Sequence, residues 1–419
     1  MRFFPGLIFF LFTSTPYSLL CAQDSLYARE VIQELTSDKY HGRGYVKNGD
    51  RKAAKYISGQ YKQAGLQPLN SKNYFQDFSF PVNTFPGCMD VSINNKALIP
   101  GQDFIVDPGT SSCKGSYPIK RITKSPWLYP ADELKGKWLL IDTTIAGNEI
   151  TPGDCRKLTE TLSGGEGIIF IAAKKLTWSV SQDINQVPLI TILKSSLPED
   201  VNAIRVNICS KHIPSYKTAN VIGMIEGNKQ KDSLIFITAH YDHLGRMGTS
   251  AYFPGANDNS SGIAMLLNLA KHFSQEKNRQ PYTLVFVAFA GEEAGLVGSK
   301  YYTENPILPL SNIRFLLNLD LMGTGDEGMM VVNATEFPSS FQTLDSINTI
   351  HGYLPKLGQR GKAANSDHYW FTEAGVPGFF CYTLGGVTFY HDIYDRAETL
   401  PLTKFKEVFL LFDAFLRTL

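Results

Sequence analysis

The chain has 419 residues, with 40 Lys+Arg against 39 Asp+Glu and a formal charge of +1. With no basic surplus, a general nucleic-acid binder is excluded, and 43% hydrophobic residues exclude a chain disordered throughout. At roughly 100 to 200 residues per domain, the length predicts two domains, each with its own core.

Arg2 precedes an apolar run from Phe3 to Phe12, and Leu20-Cys21-Ala22 leads into Gln23. This pattern predicts a secretory signal peptide over residues 1–22, cleaved near Ala22, and so a secreted or periplasmic protein. The run is shorter than the roughly 18 apolar residues of a membrane span, and bulky Leu20 disfavours lipidation of Cys21. Five cysteines remain, and Cys88, Cys113, Cys155 and Cys209 fall between residues 80 and 213. An oxidising compartment would let them pair in three ways, of which the sequential one, Cys88 with Cys113 and Cys155 with Cys209, is the expectation. Cys381, inside VPGFFCYT, reads as a buried thiol.

From Asp50, read as an N-cap, Ala53, Ile57, Tyr61 and Ala64 recur at helical spacing up to Gly65, predicting a helix over Gly49 to Ala64. Residues 81–213 change character: WLLID, GIIFIAA and VPLITIL alternate with Gly, Pro and Ser clusters, predicting an inserted β-rich domain. After Pro214, strands and helices alternate through NVIGMIEG, SLIFITAH, a helix over Ser261 to His272, TLVFVAFA, a short helix after Glu293, and FLLNLDLMG. That order predicts an α/β fold, an open, mostly parallel-core mixed sheet flanked by helices, built from residues 23–80 and 214–419. Phe405, Val408, Phe409, Phe412, Phe415 and Leu416 form an apolar stripe that should dock a last helix on this sheet.

The residues that carry chemistry all follow residue 213. In ITAHYDHLG, His240 and Asp242 point the same way from an extended chain, as a ligand and its carboxylate brace would, although His243 is an equal candidate. Asp258 in GANDNSSG precedes a helix, Glu292 and Glu293 end an apolar strand, and Asp320 sits inside the apolar FLLNLDLMG. Buried carboxylates are costly unless something positive compensates them. His391 lies between Tyr390 and Asp392 in a loop. Three of these sites fall at expected C-terminal strand ends, where open α/β sheets bind ligands. Two His and three carboxylates without thiolate suit zinc, with cobalt or manganese as alternatives. Two divalent ions, +4, against three ligating carboxylates, −3, and a hydroxide balance the charge.

These segments, AHYDH, GANDNSSG, AGEEAGLVGS, NLDLMG, NSDHYWF and FYHDIYD, resemble the secreted co-catalytic di-zinc aminopeptidases, whose wider family includes glutamate carboxypeptidase, transferrin-receptor ectodomains and glutaminyl cyclases. The likeness covers about residues 24–80 and 214–419, and LKGKWLLID, GGEGIIFIAA and VPLITI make residues 81–213 look like a protease-associated domain.

The resemblance implies a zinc-exopeptidase fold with two zinc ions. Asp258 would bridge them, with His240 and Asp320 on one ion and Glu293 and His391 on the other. It also implies that Asp242 orients His240, that Glu292 is the general base for a metal-bridged water, and that Tyr390 binds the oxyanion. Asp367 and His368 match a segment near the substrate pocket. Phe253, Trp370, Phe371, Phe389 and Tyr390 hint at an apolar side-chain pocket. The implied activity is removal of N-terminal residues from peptide substrates, with no nucleic-acid partner and no membrane span. Rivals on the same fold are a carboxypeptidase, for which Arg246 and Arg360 would hold the terminal carboxylate, a single-zinc glutaminyl cyclase, and a binding protein without catalysis. Oligomeric state is left open.

Overall fold

The strand Gln230–His240 shows why the centre of the molecule is a sheet covered on both faces. Along it Ile235, Ile237 and Ala239 enter one apolar cluster while Leu234 and Phe236 enter another on the opposite face. Successive strand side chains point to opposite sides, so an uninterrupted apolar run is what a doubly covered strand requires. The computed structural model describes residues 25–69, 73–122, 131–142 and 166–419. The expected signal peptide, Cys21 and Cys155 lie outside the described residues.

The larger sheet has nine strands. Its core is parallel: Tyr282–Phe289, Gln230–His240, Ile313–Asp320 and Gly378–Leu384 lie side by side in that order. Antiparallel strands flank it, Lys211–Ile225 on one side and Gly328–Val332 on the other. This is the mixed, parallel-core α/β architecture expected from the sequence.

One face carries the helices Ser25–Thr36, Gly49–Gln63, Gly262–Phe273 and Phe405–Leu416, whose buried residues share one cluster. The Phe405 to Leu416 stripe is core, with Val408, Phe409, Phe412 and Phe415 fully buried. The other face is closed by Val297–Glu304 and His368–Glu373, where Tyr302 stacks on Phe371.

Among the described residues the second sheet has eight strands, from Met89–Ile93 through to Ala203–Ile208 in chain order of its main members, and includes Trp138–Ile141, Gly167–Ala172 and Leu189–Leu193. It is joined to the first by a ribbon of two antiparallel strands, Phe75–Thr84 and Lys211–Ile225, which run through residues 80 and 213. Among the described residues no helix is long and apolar enough to cross a membrane.

Two local expectations are corrected. Asp50 does not cap its helix. It lies within the first turn, fully buried, and its carboxylate accepts hydrogen bonds from Tyr216 Oη at 2.6 Å and Thr218 Oγ1 at 2.7 Å. Cys88 is not bonded to Cys113, since both thiols are free. The strand register instead sets Cys88 beside Cys209, whose amide donates to the Cys88 carbonyl at 2.9 Å.

Candidate metal centre

Two candidate ligands end parallel strands, and the others come from turns and loops beyond strand ends. His240 is the last residue of Gln230–His240 and Asp320 the last of Ile313–Asp320. Glu292 and Glu293 follow Tyr282–Phe289 after the turn at Gly291, and Asp258 lies in the turn before Gly262–Phe273. His391 comes from the loop after Gly378–Leu384, with a left-handed φ of 54°.

Asp258 stands between the two imidazoles. His240 Nε2 is 3.4 Å from Asp258 Oδ1 and 3.5 Å from Asp320 Oδ1. His391 Nε2 is 3.1 Å from Asp258 Oδ2 and 3.2 Å from Glu293 Oε2. Three overlapping sets could each hold a metal ion: His240 with Asp258 and Asp320, His240 with Glu292 and Glu293, and His243 with Asp258 and Glu293. His243 Nδ1 lies 2.6 Å from Glu293 Oε1, so it is the imidazole that the residue pattern left undecided.

The hydrogen bonds of the two rings orient their lone pairs. His240 Nδ1 faces the Asp242 carbonyl at 3.2 Å, and His391 Nδ1 faces the Trp178 carbonyl at 3.0 Å. A carbonyl oxygen only accepts, so both protons belong on Nδ1 and each Nε2 is aimed at carboxylates. A lone pair against carboxylate oxygens is repulsive unless a proton or a cation lies between them.

Without a cation the site compensates through protons. Burial lowers the affinity of His391 for its proton, but Glu293 and Asp258 override this and push it up to about 11. Burial, against the pull of His240, raises the Glu292 carboxyl far above its ordinary range, with Glu293, Asp367 and Asp320 adding to the rise. Burial also pushes Asp242 up to about 6 and Asp367 up to about 7. Asp320 Oδ1 is buried without a hydrogen-bond donor. Oxygen and imidazole donors with this excess of negative charge fit hard or borderline divalent cations.

The supporting residues were only partly anticipated. The Asp242 carboxylate is 4.0 Å from His240 Nδ1, and the ring is held by the main-chain carbonyl. Its oxygens instead accept from Tyr45 Oη at 2.6 Å and from the amides of Glu292 and Glu293 at 3.2 and 3.3 Å. Asp395 accepts from the amides of Asn257 and Asp258 and so fixes the turn that presents Asp258.

Arg43 is fully buried and donates to the carbonyls of Tyr241, Pro254, Gly255 and Asp258. It adds one positive charge behind the carboxylates. Gly255, at φ 62°, leaves room for this arrangement, since a Cβ there would lie 2.4 Å from His243 Cδ2 and 2.6 Å from Arg43 Nη2. Arg43 lies in HGRGY and Asp395 in YDRAET, so a buried charge was legible in neither segment.

The remaining candidates divide. The Tyr390 side chain is exposed and its ring stacks on His391 at 4.0 Å between centroids. Asp367 is close enough to Glu292 to raise its carboxyl, whereas His368 packs on Phe380 and burial lowers it to about 4. Phe253 and Phe371 are core residues: Phe253 stacks on Trp178 at 4.6 Å, and Phe371 lies under the sheet. Trp370 and Phe389 are half-buried. Arg246 is engaged by Asp38 and the Thr249 carbonyl, and Arg360 ends an edge strand.

Residues 220–416 match the model of Peptidase family M28. Aminopeptidase YwaD of Bacillus subtilis is 27% identical over 258 residues, covering 58% of this chain and 52% of that protein. A probable zinc metalloprotease of Pyricularia oryzae is 37% identical over 116 residues, covering 27% of this chain and 23% of that protein. The chain thus spans about half or less of the length of these relatives. The solved structure of BSAP, a zinc aminopeptidase from Bacillus subtilis, superposes with a TM-score of 0.73 at 19% identity, covering 94% of this chain and 95% of that one. An aminopeptidase from Aneurinibacillus sp. strain AM-1 superposes with a TM-score of 0.65 at 21% identity, covering 94% and 93%. At these identities the structural likeness is one of fold. With the family match lying across every candidate ligand from His240 to His391, residues 220–416 belong to peptidase family M28.

Proposed function

We propose that the protein is a secreted zinc-dependent exopeptidase that removes N-terminal residues from peptides. The observation that carries this reading is the pair of imidazole Nε2 atoms facing carboxylates from opposite sides of Asp258, with Glu292 beside them. In this reading residues 23–80 and 214–419 form the peptidase domain, and 81–213 an inserted domain of the protease-associated kind.

His240, Asp258 and Asp320 would hold one zinc ion, and Asp258, Glu293 and His391 a second. Bound zinc would polarise the scissile carbonyl and make water nucleophilic near neutral pH. Glu292 takes the proton from the attacking water and returns it to the leaving amine, a role that suits a carboxylate whose proton affinity is raised by burial. The Asp242 carboxylate positions this base by receiving the Glu292 and Glu293 amides. The Tyr390 hydroxyl donates to the oxyanion as charge develops, a contribution of about 2 to 4 kcal/mol in comparable sites. Asp367, next to Glu292, would take part in binding the substrate amine, and His368 would shape the pocket wall.

Engagement of Arg246 by Asp38 leaves it poorly disposed to hold a C-terminal carboxylate, which argues against the carboxypeptidase reading. The test is hydrolysis of a leucyl anilide by the zinc-loaded protein, paired with the N-acetylated compound. Cleavage of the free amine alone is expected. Cleavage of both, or of neither with zinc bound, would overturn the reading.

A further inference from the structure

Between the parallel strands Gly167–Ala172 and Leu189–Leu193, the smaller sheet makes its crossover without a helix. Residues 174–182 instead reach across to the ligand loops of the larger sheet. The Trp178 amide donates to the His391 carbonyl at 2.9 Å, and His391 Nδ1 donates back to the Trp178 carbonyl at 3.0 Å. Lys175 Nζ pairs with Asp392 Oδ2 at 3.1 Å and donates to the Thr388 carbonyl at 2.9 Å. Asp392 is itself buried and accepts from the Tyr394 amide, so this pair closes the turn around His391. At the other end, Gln182 Nε2 donates to the Ala294 carbonyl at 2.7 Å, next to Glu293.

The segment is itself firmly anchored, to Val106 of the inserted unit and to Phe253 outside it. The Trp178 indole is buried, stacks on Phe253 at 4.6 Å and donates through Nε1 to the Val106 carbonyl at 2.8 Å. His391, by contrast, sits in a loop with left-handed backbone and has no strand to fix its direction. Its ring is therefore aimed by a residue 213 positions away.

We infer that residues 174–182 of the inserted unit are a positioning element of the metal centre: the Trp178 carbonyl fixes the His391 ring for metal binding, while Lys175 and Gln182 lock the loops carrying His391 and Glu293. The inserted unit thereby sets how tightly one metal position is held. This inference rests on the di-zinc reading above.

The experiment is titration of Zn2+ into the metal-stripped full chain against a competing chelator, for wild type, Lys175→Ala, Lys175→Arg and Trp178→Ala. Lost partners of a metal-ligating imidazole typically weaken binding about 10- to 100-fold. Lys175→Ala should weaken one zinc about 10-fold and leave the other, and the melting temperature of the metal-free protein, unchanged. Trp178→Ala should weaken the same zinc by up to about 100-fold, and Lys175→Arg should restore it to within about twofold. If Trp178→Ala fails to fold, the two Lys175 variants decide. Wild-type affinity for both ions in Lys175→Ala, or equal loss of both together with a lower melting temperature, would overturn the inference. Absence of zinc binding by the wild type would instead overturn the functional reading.

Discussion

The two sides of the candidate metal centre are built by different means. On the sheet side, His240 and Asp320 end neighbouring strands whose preceding residues are buried on both faces, so their directions are fixed by a packed core. On the loop side, His391 hangs from an irregular segment and is held by Trp178 and, through Asp392, by Lys175. Equivalent donor atoms are thus positioned once by burial and once by a small number of polar contacts. The first kind of support is distributed and hard to remove by one substitution. The second is concentrated and open to adjustment.

Four measurements would break or sharpen this contrast. The largest effect should come from the group between the two sides: Glu292→Gln should lower turnover of a leucyl anilide by about 10²- to 10⁴-fold while zinc content is unchanged. Unaltered turnover would remove Glu292 from the chemistry.

Next, Phe236→Ala, in the core strand behind His240, should cost about 3 to 5 kcal/mol in denaturant unfolding. Tyr394→Ala in the exposed part of the His391 loop should stay within about 0.5 kcal/mol. Similar costs at both positions would end the contrast between core-borne and contact-borne support.

Metal removal should then separate the sides in time. After chelation, amide exchange should rise in residues 385–396 and remain slow in Ile235 to Ala239, because only the latter are locked in a central parallel strand. Uniform loss of protection would mean that the metal supports both sides alike.

The smallest effect concerns Asp50, which ties its helix to the ribbon strand. Burial raises its carboxyl to about 7 from an ordinary 3.8, with Tyr216 and Thr218 limiting the rise. A folded-state value above the unfolded one gives stability that is complete below about pH 4 and is lost as pH rises through about 7. The melting temperature of wild type relative to Asp50→Asn should therefore fall between pH 5 and pH 8. A difference that does not vary with pH would remove Asp50 as its source.

The same contrast explains what was legible in the sequence. FITAH and NLDLMG announce their candidate ligands because an apolar run ending in a polar residue reads as a strand delivering that residue to a site. The helix over Gly49 to Gln63 and the Phe405 to Leu416 stripe were equally plain from spacing. Asp50 was misread because an acidic residue at a helix start looks like a cap from sequence, whereas here the strand Lys211–Ile225 supplies two hydroxyl donors. Phe253 and Phe371 were read toward a pocket, and lie in the core instead, because proximity in sequence to a candidate ligand does not say which face of the sheet a ring occupies. Arg43 and Trp178 escaped notice because each acts through backbone carbonyls distant in sequence, and main-chain partners leave no mark in residue type. The pairing of Cys88 with Cys113 failed on register: neighbours in sequence order are not neighbours across strands.

The two-strand ribbon carries a further consequence. Thr84 stands directly opposite Lys211, so the chain departs for the smaller sheet and returns from it through adjacent doors. Such an attachment is modular in its wiring: a short turn in place of residues 85–210 would leave the parent sheet's connections intact. It is not modular in its chemistry, because the excursion brings back the oxygen against which His391 rests. A shortened chain could keep its topology and yet have to find a new acceptor for that ring.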